Sequence, residues 1–241
     1  MCKLKSGIIL KDRVYIPDHD HHTRMLDELK IKDTRENAER LFVRAELYPK
    51  DGDIFSSDPV TWIYRVDQDI LPDWYVAEVD EARMREAVKA WYAAHVHIDK
   101  DGLTIDSGVH WIKGGKNICI CDSATVECIC DSATVKCICG SATVKCICGS
   151  ATVKRICGYA TVEDIYGYAT VKCICGSATV KYIYDSATVE RICGSATVIT
   201  DYDITWTNLD NAVVRDDATI KDCYNKRIIQ AGAWTFETAE G

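Results

Sequence analysis

A nine-residue repeat constrains the fold of this chain more than any other feature of its sequence. Nine copies of a Ser-Ala-Thr-Val motif follow one another without insertion, and Tyr replaces the Ser in two of them. The copies begin at Ser123, Ser132, Ser141, Ser150, Tyr159, Tyr168, Ser177, Ser186 and Ser195. The Ala, Thr and Val of each copy do not vary, and an Ile recurs just as strictly. Repetition at a short fixed period predicts a solenoid.

The alternation within the motif predicts which side chains face inward. Neighbouring side chains of an extended segment point to opposite faces, so Ala and Val can line a core while Ser and Thr face outward. The recurring Ile then supplies a second inward side chain after a bend. Residues beside the Ile include Arg155, Asp164 and Tyr182, which a narrow core would not tolerate. We therefore expect the positions that flank the Ile to face solvent.

Two repeats make one coil, because nine residues provide one strand and one turn, which cannot close a coil alone. At a spacing of eighteen, the residue after the Val alternates in charge, through Glu127, Lys145, Glu163 and Lys181. Strands stacked about 4.8 Å apart favour such alternation, since like charges would repel. The sequence thus predicts a parallel β-solenoid with two nine-residue repeats in each eighteen-residue coil.

The segments on either side of the repeat differ from it. Strand-like runs precede a helical pattern that opens at Asp80, so the N-terminal part is expected to be an α+β unit. Aromatic residues near the C-terminus, Trp206, Trp234 and Phe236, can close the open end of the rod. The resulting division is an α+β capping domain at residues 1–98, an irregular lead-in at residues 99–118, the solenoid at residues 119–199 and a C-terminal cap at residues 200–241.

Two N-terminal segments carry a resemblance to known sequences. Residues 5–14 (KSGIILKDRV) and residues 66–74 (VDQDILPDW), followed by the nonapeptides, resemble uncharacterised proteins of gut bacteria and of their phages or prophages. The resemblance spans most of the chain. It implies an accessory, rapidly diversifying repeat protein, and it provides no catalytic residues.

Charge and composition exclude several classes of function. The formal net charge of -8 argues against a nucleic-acid-binding protein, which would need a basic stripe. No apolar run reaches the length of a membrane span, and the N-terminal apolar stretch is too short for a secretory signal. Repeat duplication accounts for twelve of the 14 cysteines without export. We expect a cytoplasmic protein with no cofactor, no nucleic-acid partner and no membrane partner.

The Cys-x-Cys pairs that surround the recurring Ile are the clearest chemical feature. Equivalent thiols of adjacent coils would lie within reach of a disulfide bond or of a shared metal ion. The candidates for such a ladder, eighteen residues apart, are Cys121, Cys139, Cys157, Cys175 and Cys193. Because Arg, Asp or Tyr replaces Cys in several copies and no His recurs beside it, we favour duplicated surface cysteines.

A second candidate site lies in the predicted cap. A loop contains His19, His21 and His22, and a later segment contains Asp67, Asp69 and Asp73. Imidazole and carboxylate groups are ligands for transition metals and can act as acid–base pairs. This pattern supports an enzyme or a ligand-binding protein with its site at the junction of cap and rod. Polar loops and turns explain the same residues without a function, and we favour that interpretation.

Variable outward positions on a constant core are typical of a binding scaffold. Aromatic side chains at such positions act as interface anchors, and the candidates are Tyr159, Tyr166, Tyr168, Tyr182 and Tyr184. The sequence therefore predicts a non-enzymatic scaffold that presents these residues to a protein partner. A host-defence inhibitor made by a phage or prophage would fit.

Two further alternatives remain. The Ser-x-Thr rows resemble the Thr rows of ice-binding solenoids, although Tyr159 and Tyr168 interrupt them. Self-association through the C-terminal end, as a homodimer, is the structural alternative.

Overall fold

The computed structural model describes residues 4–200, 209, 212–230 and 233–236. The chain divides into two compact units, Met1–Val96 and His97–Gly241. The first unit mixes helices with an antiparallel sheet, and the second is built from stacked parallel strands. This confirms the predicted class, a small α+β region followed by a β-solenoid. No helix in the described part of the chain is long and apolar enough to cross a membrane.

The N-terminal unit is built on an antiparallel four-stranded sheet. In the order β2-β1-β3-β4, its members are β1 (Lys5–Leu10), β2 (Val14–Tyr15), β3 (Phe42–Tyr48) and β4 (Ile63–Val66). The helices are α1 (His22–Glu28), α2 (Arg35–Ala38) and α3 (Ala77–His95), and a short 3-10 turn covers Pro59–Thr61. Ile8 and Phe42, on adjacent strands, are fully buried and anchor the core of this unit.

Helix α3 begins earlier than the sequence pattern indicated. The pattern predicted a start at Asp80, whereas the helix begins at Ala77. The Asp80 carboxylate instead accepts a hydrogen bond from the backbone N–H of Val76 at 2.8 Å. It also pairs with Arg83 at 2.6 Å. Asp80 therefore caps the first turn from within the helix, where backbone N–H groups lack helical partners.

The second compact unit, called the repeat unit below, consists of short strands that belong mainly to two sheets. The ten-stranded sheet contains β5 (Val96–Ile98), β7 (Val109–Lys113), β9 (Thr125–Cys130), β11 (Thr143–Ile147), β13 (Thr161–Ile165), β15 (Thr179–Ile183), β18 (Thr197–Thr200), β20 (Thr219–Asp222), β21 (Arg227–Gln230) and β22 (Ala233–Phe236). The six-stranded sheet contains β6 (Thr104–Ile105), β8 (Lys116–Ile120), β10 (Thr134–Ile138), β12 (Thr152–Val153), β14 (Thr170–Val171) and β16 (Thr188–Val189). A separate parallel pair joins β17 (Arg191–Ile192) to β19 (Val213–Val214). Paired strands thus already occur before the first Ser-Ala-Thr-Val motif.

The strands of the repeats pair in parallel with strands one coil away. On the ten-stranded sheet, Thr143 lies opposite Thr125 on one side and Thr161 on the other. On the six-stranded sheet, Thr152 lies opposite Thr134. Each of these partners is eighteen residues away in the sequence. The register confirms a coil made of two nine-residue repeats.

The Ala, Val and Ile of the repeats fill the space between the two sheets. Ala142, Val144 and Ile147 are fully buried, and the equivalent residues of the other copies are at most 3% exposed. Burying a Val or Ile side chain contributes roughly 2 kcal/mol. Because this apolar column is continuous along the rod, each coil is stabilised by its neighbours.

A residue in the left-handed conformation forms the corner before each Ser-Ala-Thr-Val motif. The corner residue is Gly or Asp, for example Gly158 with φ of 69° and Asp131 with φ of 61°. Gly adopts this conformation without steric cost, and Asp tolerates it better than most residues. A Cβ on Gly158 would lie 3.0 Å from the backbone nitrogen of Gly140, one coil below. The Gly or Asp that recurs at this position is therefore a turn signal in the sequence.

Charges on the two sheets are arranged differently. On the ten-stranded sheet, Lys145 pairs with Glu127 at 2.6 Å, and Lys181 pairs with Glu163 at 3.0 Å. These pairs confirm the alternation at a spacing of eighteen. The six-stranded sheet departs from it, because three lysines follow one another at the equivalent position before a glutamate: Lys136, Lys154, Lys172 and Glu190, all exposed. The alternation therefore holds for one sheet only.

Parallel stacking ends at the C-terminal side of the ten-stranded sheet. β20 pairs in parallel with β18, but β21 and β22 continue the sheet as antiparallel strands. Of the aromatic residues expected to close the rod, Trp206 lies outside the described residues. Trp234 and Phe236 belong to β22, of which only the backbone is described.

Candidate functional site

Several cysteines beside the recurring Ile are buried, contrary to the expectation that these positions face solvent. Cys128 is 2% exposed, and Cys146 and Cys173 are each 7% exposed. They lie outside the apolar column, yet side chains of adjacent coils cover them because stacked strands are only about 4.8 Å apart. The described cysteines are all free thiols.

The closest thiols are diagonal neighbours rather than equivalent residues of adjacent coils. The Sγ–Sγ distances are 3.8 Å for Cys128 and Cys148, 3.6 Å for Cys137 and Cys157, and 3.8 Å for Cys173 and Cys193. Each pair is separated by twenty residues, which is one coil plus two positions. Residues two positions apart share one face of a strand, so this diagonal is a natural contact. Of the cysteines predicted to form a ladder at a spacing of eighteen, Cys157 and Cys193 instead contact cysteines that lie twenty residues earlier in the sequence.

Four cysteines lie close together on the outer surface of the ten-stranded sheet, and three of their thiols meet. This four-thiol cluster consists of Cys128, Cys130, Cys146 and Cys148, from the region of β9 and β11. The sulfur atoms of Cys128, Cys146 and Cys148 all lie within 4.8 Å of one another. The Cys130 sulfur lies outside that set and is 3.6 Å from the backbone carbonyl oxygen of Ile112. The cluster joins two successive coils.

Hydrogen bonding within the cluster favours one thiolate. Thiol donors from Cys128, Cys130 and Cys146 lower the pKa of Cys148, because they stabilise its negative charge. The other three thiols of the cluster show the opposite effect, because the pKa of each is raised. On the six-stranded sheet, burial raises the pKa of Cys175 to about 12, and the neighbouring Cys173 adds to the increase. Cys148 and Cys175 therefore differ in acidity.

A related set on the other side of the rod contains three thiols and a cation. Cys173, Cys175 and Cys193 also lie within 4.8 Å of one another. Arg191 occupies the position that corresponds to Cys146 in the four-thiol cluster, and its guanidinium hydrogen-bonds with Cys173. This set thus has one sulfur fewer and one positive charge more.

The sequence contains a second group of four Cys at the same spacing, and the structure separates it. This group is Cys119, Cys121, Cys137 and Cys139. β8 and β10 pair with Cys137 directly opposite Cys119, but the Cys137 thiol contacts Cys157 on the following coil. Among the described residues, no three sulfur atoms of this group lie within 4.8 Å of one another. Sequence spacing alone therefore does not determine which thiols meet.

A column of tyrosines continues directly from the four-thiol cluster. The position after the Ile on the ten-stranded sheet is Cys130, Cys148, Tyr166 and Tyr184 in successive coils. The rings of Tyr166 and Tyr184 stack with centroids 5.2 Å apart and an interplanar angle of 3°. Burial, followed by a hydrogen bond with the Cys148 thiol, raises the pKa of Tyr166. The first tyrosine is thus fixed against the thiols.

The other candidate tyrosines project further into solvent. Tyr159 and Tyr168 are each 74% exposed, and Tyr182 is 36% exposed. Tyr182 lies in β15, two residues before Tyr184, whereas Tyr168 follows the corner at Gly167. Tyr159 precedes β13, at the opposite end of the strands from Tyr166. Three of the five tyrosines, Tyr166, Tyr182 and Tyr184, therefore belong to the strands of the ten-stranded sheet or directly follow them, whereas Tyr168 lies at the corner that leads to β14 of the six-stranded sheet.

The threonines form rows between stacked strands. On the six-stranded sheet, the hydroxyl of Thr188 donates to that of Thr170 at 3.2 Å. The repeat threonines are half-buried, which fits hydrogen bonding between coils better than a flat exposed ice-binding row. Tyr159 and Tyr168 stand out from the neighbouring serine positions.

The histidine loop of the N-terminal unit makes local contacts. His19 hydrogen-bonds with Glu28 at 3.1 Å and stacks on His21 with ring centroids 6.2 Å apart. Asp20 accepts a hydrogen bond from the ammonium of the buried Lys5 at 3.0 Å. These contacts hold the loop against β1.

Only part of the predicted histidine–aspartate site comes together. His22 Nδ1 lies 3.3 Å from the Asp67 carboxylate, and Glu46 joins them, with ligand atoms of all three within 4.8 Å of one another. Among the described residues, Nε2 of His22 is buried without a hydrogen-bond partner. Asp69 and Asp73 are exposed and lie outside this set. Sequence reasoning missed Glu46, because nothing in the sequence indicates that β3 passes beside His22.

No protein-family model, no curated protein and no solved structure matches this chain.

Proposed function

We propose that the protein is a rigid scaffold that binds a protein partner through the tyrosines of the ten-stranded sheet. The binding surface consists of Tyr166, Tyr182 and Tyr184, together with Tyr168 at the adjoining corner. The parallel stack of Tyr166 on Tyr184 carries this proposal, because it presents aromatic area that is already ordered before binding. Ordered aromatic side chains lose little conformational entropy in a complex, and tyrosine is enriched among residues that dominate interfaces.

The buried residues of the repeat support the same function. Ala, Val and Ile are constant and buried in every copy, whereas the residue before the Ile is Cys128, Cys146, Asp164 and Tyr182 along one sheet. A constant core with a variable surface allows the surface to change without loss of the fold. The resemblance to gut-bacterial and phage proteins suggests a bacterial host-defence protein as the partner.

Affinity capture from bacterial lysate, followed by titration of the purified partner, tests this function. The test variant has Tyr166, Tyr168, Tyr182 and Tyr184 changed to Ser. The matched variant has Lys136, Lys154 and Lys172, on the six-stranded sheet, changed to Ser. We expect the tyrosine variant to lose more than about 30-fold in affinity, since a single hot-spot residue contributes about 2 kcal/mol or more. Equal binding by both variants would contradict the proposed surface.

The N-terminal unit supports a second candidate function, the binding of a small ligand or cation. The convergence of His22, Glu46 and Asp67 favours it, and Glu46 also lines a cleft of about 410 Å³. We expect divalent cations such as Mn²⁺ to raise the thermal stability of the full chain, and Glu46→Gln to abolish that increase. Asp69→Asn is the matched control, because Asp69 lies outside the set. A similar response from both variants would rule out this site.

A further inference from the structure

The four-thiol cluster brings four soft metal ligands together from two strands. Cys128 and Cys130 flank Ile129 on one coil, and Cys146 and Cys148 flank Ile147 on the next. Both isoleucines are fully buried and their backbones are paired across the sheet. The rigid apolar column behind the thiols therefore fixes the positions of all four Cα atoms.

The sulfur spacing suits a tetrahedral ion better than a disulfide bond. Four sulfur ligands at about 2.3 Å from zinc have sulfur–sulfur edges of about 3.8 Å. The Cys128–Cys148 distance is 3.8 Å, and the Cys146 sulfur lies within 4.8 Å of both. A disulfide bond would require the two sulfurs to approach to about 2.05 Å. Small side-chain rotations therefore bring these three sulfurs to a tetrahedral spacing, and turning the Cys130 side chain away from the carbonyl oxygen of Ile112, now 3.6 Å from its sulfur, adds the fourth.

The surroundings of the cluster favour a metal ion over isolated thiols. Cys128 and Cys146 are almost completely shielded from water, and the thiols of Cys128 and Cys148 are in contact at 3.8 Å. Lys113 is the cation that interacts electrostatically with Cys130, so it can offset part of the negative charge of a thiolate complex. In the three-thiol set on the other side, Arg191 already contacts Cys173 and occupies the fourth corner.

We propose that Cys128, Cys130, Cys146 and Cys148 bind one zinc ion. Each thiol releases its proton to solvent and donates a thiolate electron pair to the ion, without any change in oxidation state. Thiolate ligands select zinc over oxygen-preferring cations such as Mg²⁺ and Ca²⁺. With four protein ligands the site has no open coordination position, so its role is structural. The ion would join two coils next to the tyrosine surface and hold Tyr166 against Cys148.

Cobalt titration of the full-length, reduced and metal-free protein tests the site. Co²⁺ is the spectroscopic probe, because tetrahedral thiolate coordination produces sulfur-to-metal charge transfer and strong visible absorption. We expect one Co²⁺ per chain, displaced by Zn²⁺. The double variant Cys130→Ser/Cys148→Ser should lose this absorption. The matched double variant Cys121→Ser/Cys139→Ser should retain it, since it changes the same positions of the opposite sheet. Absorption that is missing from the natural protein, or similar in both variants, would overturn the proposal.

A gain of binding provides a test that does not depend on the stability of the first variants. Arg191→Cys completes a fourth thiol beside Cys173, Cys175 and Cys193 and removes the competing guanidinium. If four thiols in this arrangement suffice, this variant binds a second Co²⁺ with the same spectrum. Circular dichroism establishes that each variant is folded. A folded Arg191→Cys protein that binds no additional Co²⁺ contradicts the inference.

Discussion

The two sheets of the repeat unit share one apolar core but differ on their outer surfaces. On the ten-stranded sheet, Lys145 and Glu127 form an ion pair between coils, and the strands β11, β13 and β15 each span five residues. On the six-stranded sheet, Lys154 stacks between other lysines. There β8 and β10 span five residues each, but β12, β14 and β16 span only two. The same buried motif is therefore compatible with continuous and with interrupted strands.

This difference separates the roles of inner and outer residues. The inner Ala, Val and Ile specify the coil, because they are buried equally on both sheets. Stacked like charges about 4.8 Å apart disfavour close pairing of their strands, so we expect the outer residues to influence how far a strand remains paired. Charge reversal and core substitution should consequently have separable effects.

The largest expected effect comes from placing a charge in the shared core. Ile147→Asp on the ten-stranded sheet and Ile156→Asp on the six-stranded sheet both replace a fully buried side chain. Each should reduce the free energy of unfolding by more than about 4 kcal/mol, because an unpaired carboxylate is buried. Circular dichroism and limited proteolysis measure the loss. A protease-resistant product of either variant would refute the equivalence of the two sheets in the core.

Substitution of a corner glycine tests whether the two turns of each coil are equivalent. Gly158→Ala forces Ala into a left-handed conformation and places its Cβ 3.0 Å from the nitrogen of Gly140. We expect a loss of about 1–2 kcal/mol in the free energy of unfolding, measured by denaturant titration. Gly149→Ala, at the corner after the other sheet, should behave alike. A cost at only one corner would show that the two turns are not equivalent.

Reversing the charge of one lysine on each sheet tests the difference between the two outer surfaces directly. Lys154→Glu gives the six-stranded sheet the alternation already present on the ten-stranded sheet, whereas Lys145→Glu destroys that alternation. Because both positions are exposed, each change should amount to about 0.5 kcal/mol in the free energy of unfolding, stabilising for Lys154→Glu and destabilising for Lys145→Glu. Chemical denaturation checks both signs. Effects of the same sign would mean that stacked charges do not govern the difference.

The smallest expected effect concerns pH. Burial raises the pKa of Cys175 to about 12 from its ordinary value of 9.0, so the folded state retains a proton that the unfolded state loses. The contribution of Cys175 is fully present below pH 9.0 and is lost as pH rises towards about 12. Denaturation midpoints should decline across this range, and less steeply in Cys175→Ser.

Cys148, on the ten-stranded sheet, provides the control for the pH experiment. The pKa of Cys148 is lowered rather than raised, so its stabilising contribution remains above the unfolded pKa and is lost as pH falls. Cys148→Ser should therefore leave the alkaline decline in place. If Cys148→Ser flattened this decline as much as Cys175→Ser does, the assigned difference in acidity would be wrong.

The sequence was sufficient for the repeating architecture. The period of nine, the inward Ala, Val and Ile, and the ion pairs at a spacing of eighteen are consequences of strand alternation and coil closure. In the N-terminal unit, the strand-like runs of the sequence, at residues 7–10, 41–47 and 62–66, correspond to β1, β3 and β4. These features depend on local periodicity, which is readable without knowledge of distant contacts.

The candidate sites were less accessible from the sequence. The cysteines proposed for a ladder were equivalent residues of successive coils, whereas the closest thiols are diagonal, as Cys128 and Cys148 show. His22 and Asp67 were recognised as candidates, but their neighbour Glu46 was not. In each case the missing information was the position of a side chain on a different strand.

The sequence by itself determined the coil, because every repeat carries the same inward residues and a Gly or Asp corner. Only the tertiary structure decided which of two four-cysteine groups gathers its thiols. Both groups pair at an offset of eighteen, with Cys137 opposite Cys119 and Ile147 opposite Ile129, yet among these described cysteines only Cys128, Cys146 and Cys148 form a set of three with sulfur atoms within 4.8 Å of one another. The physical reason is that thiol contacts depend on how each side chain is turned by its neighbours, and identical repeats do not encode those side-chain orientations.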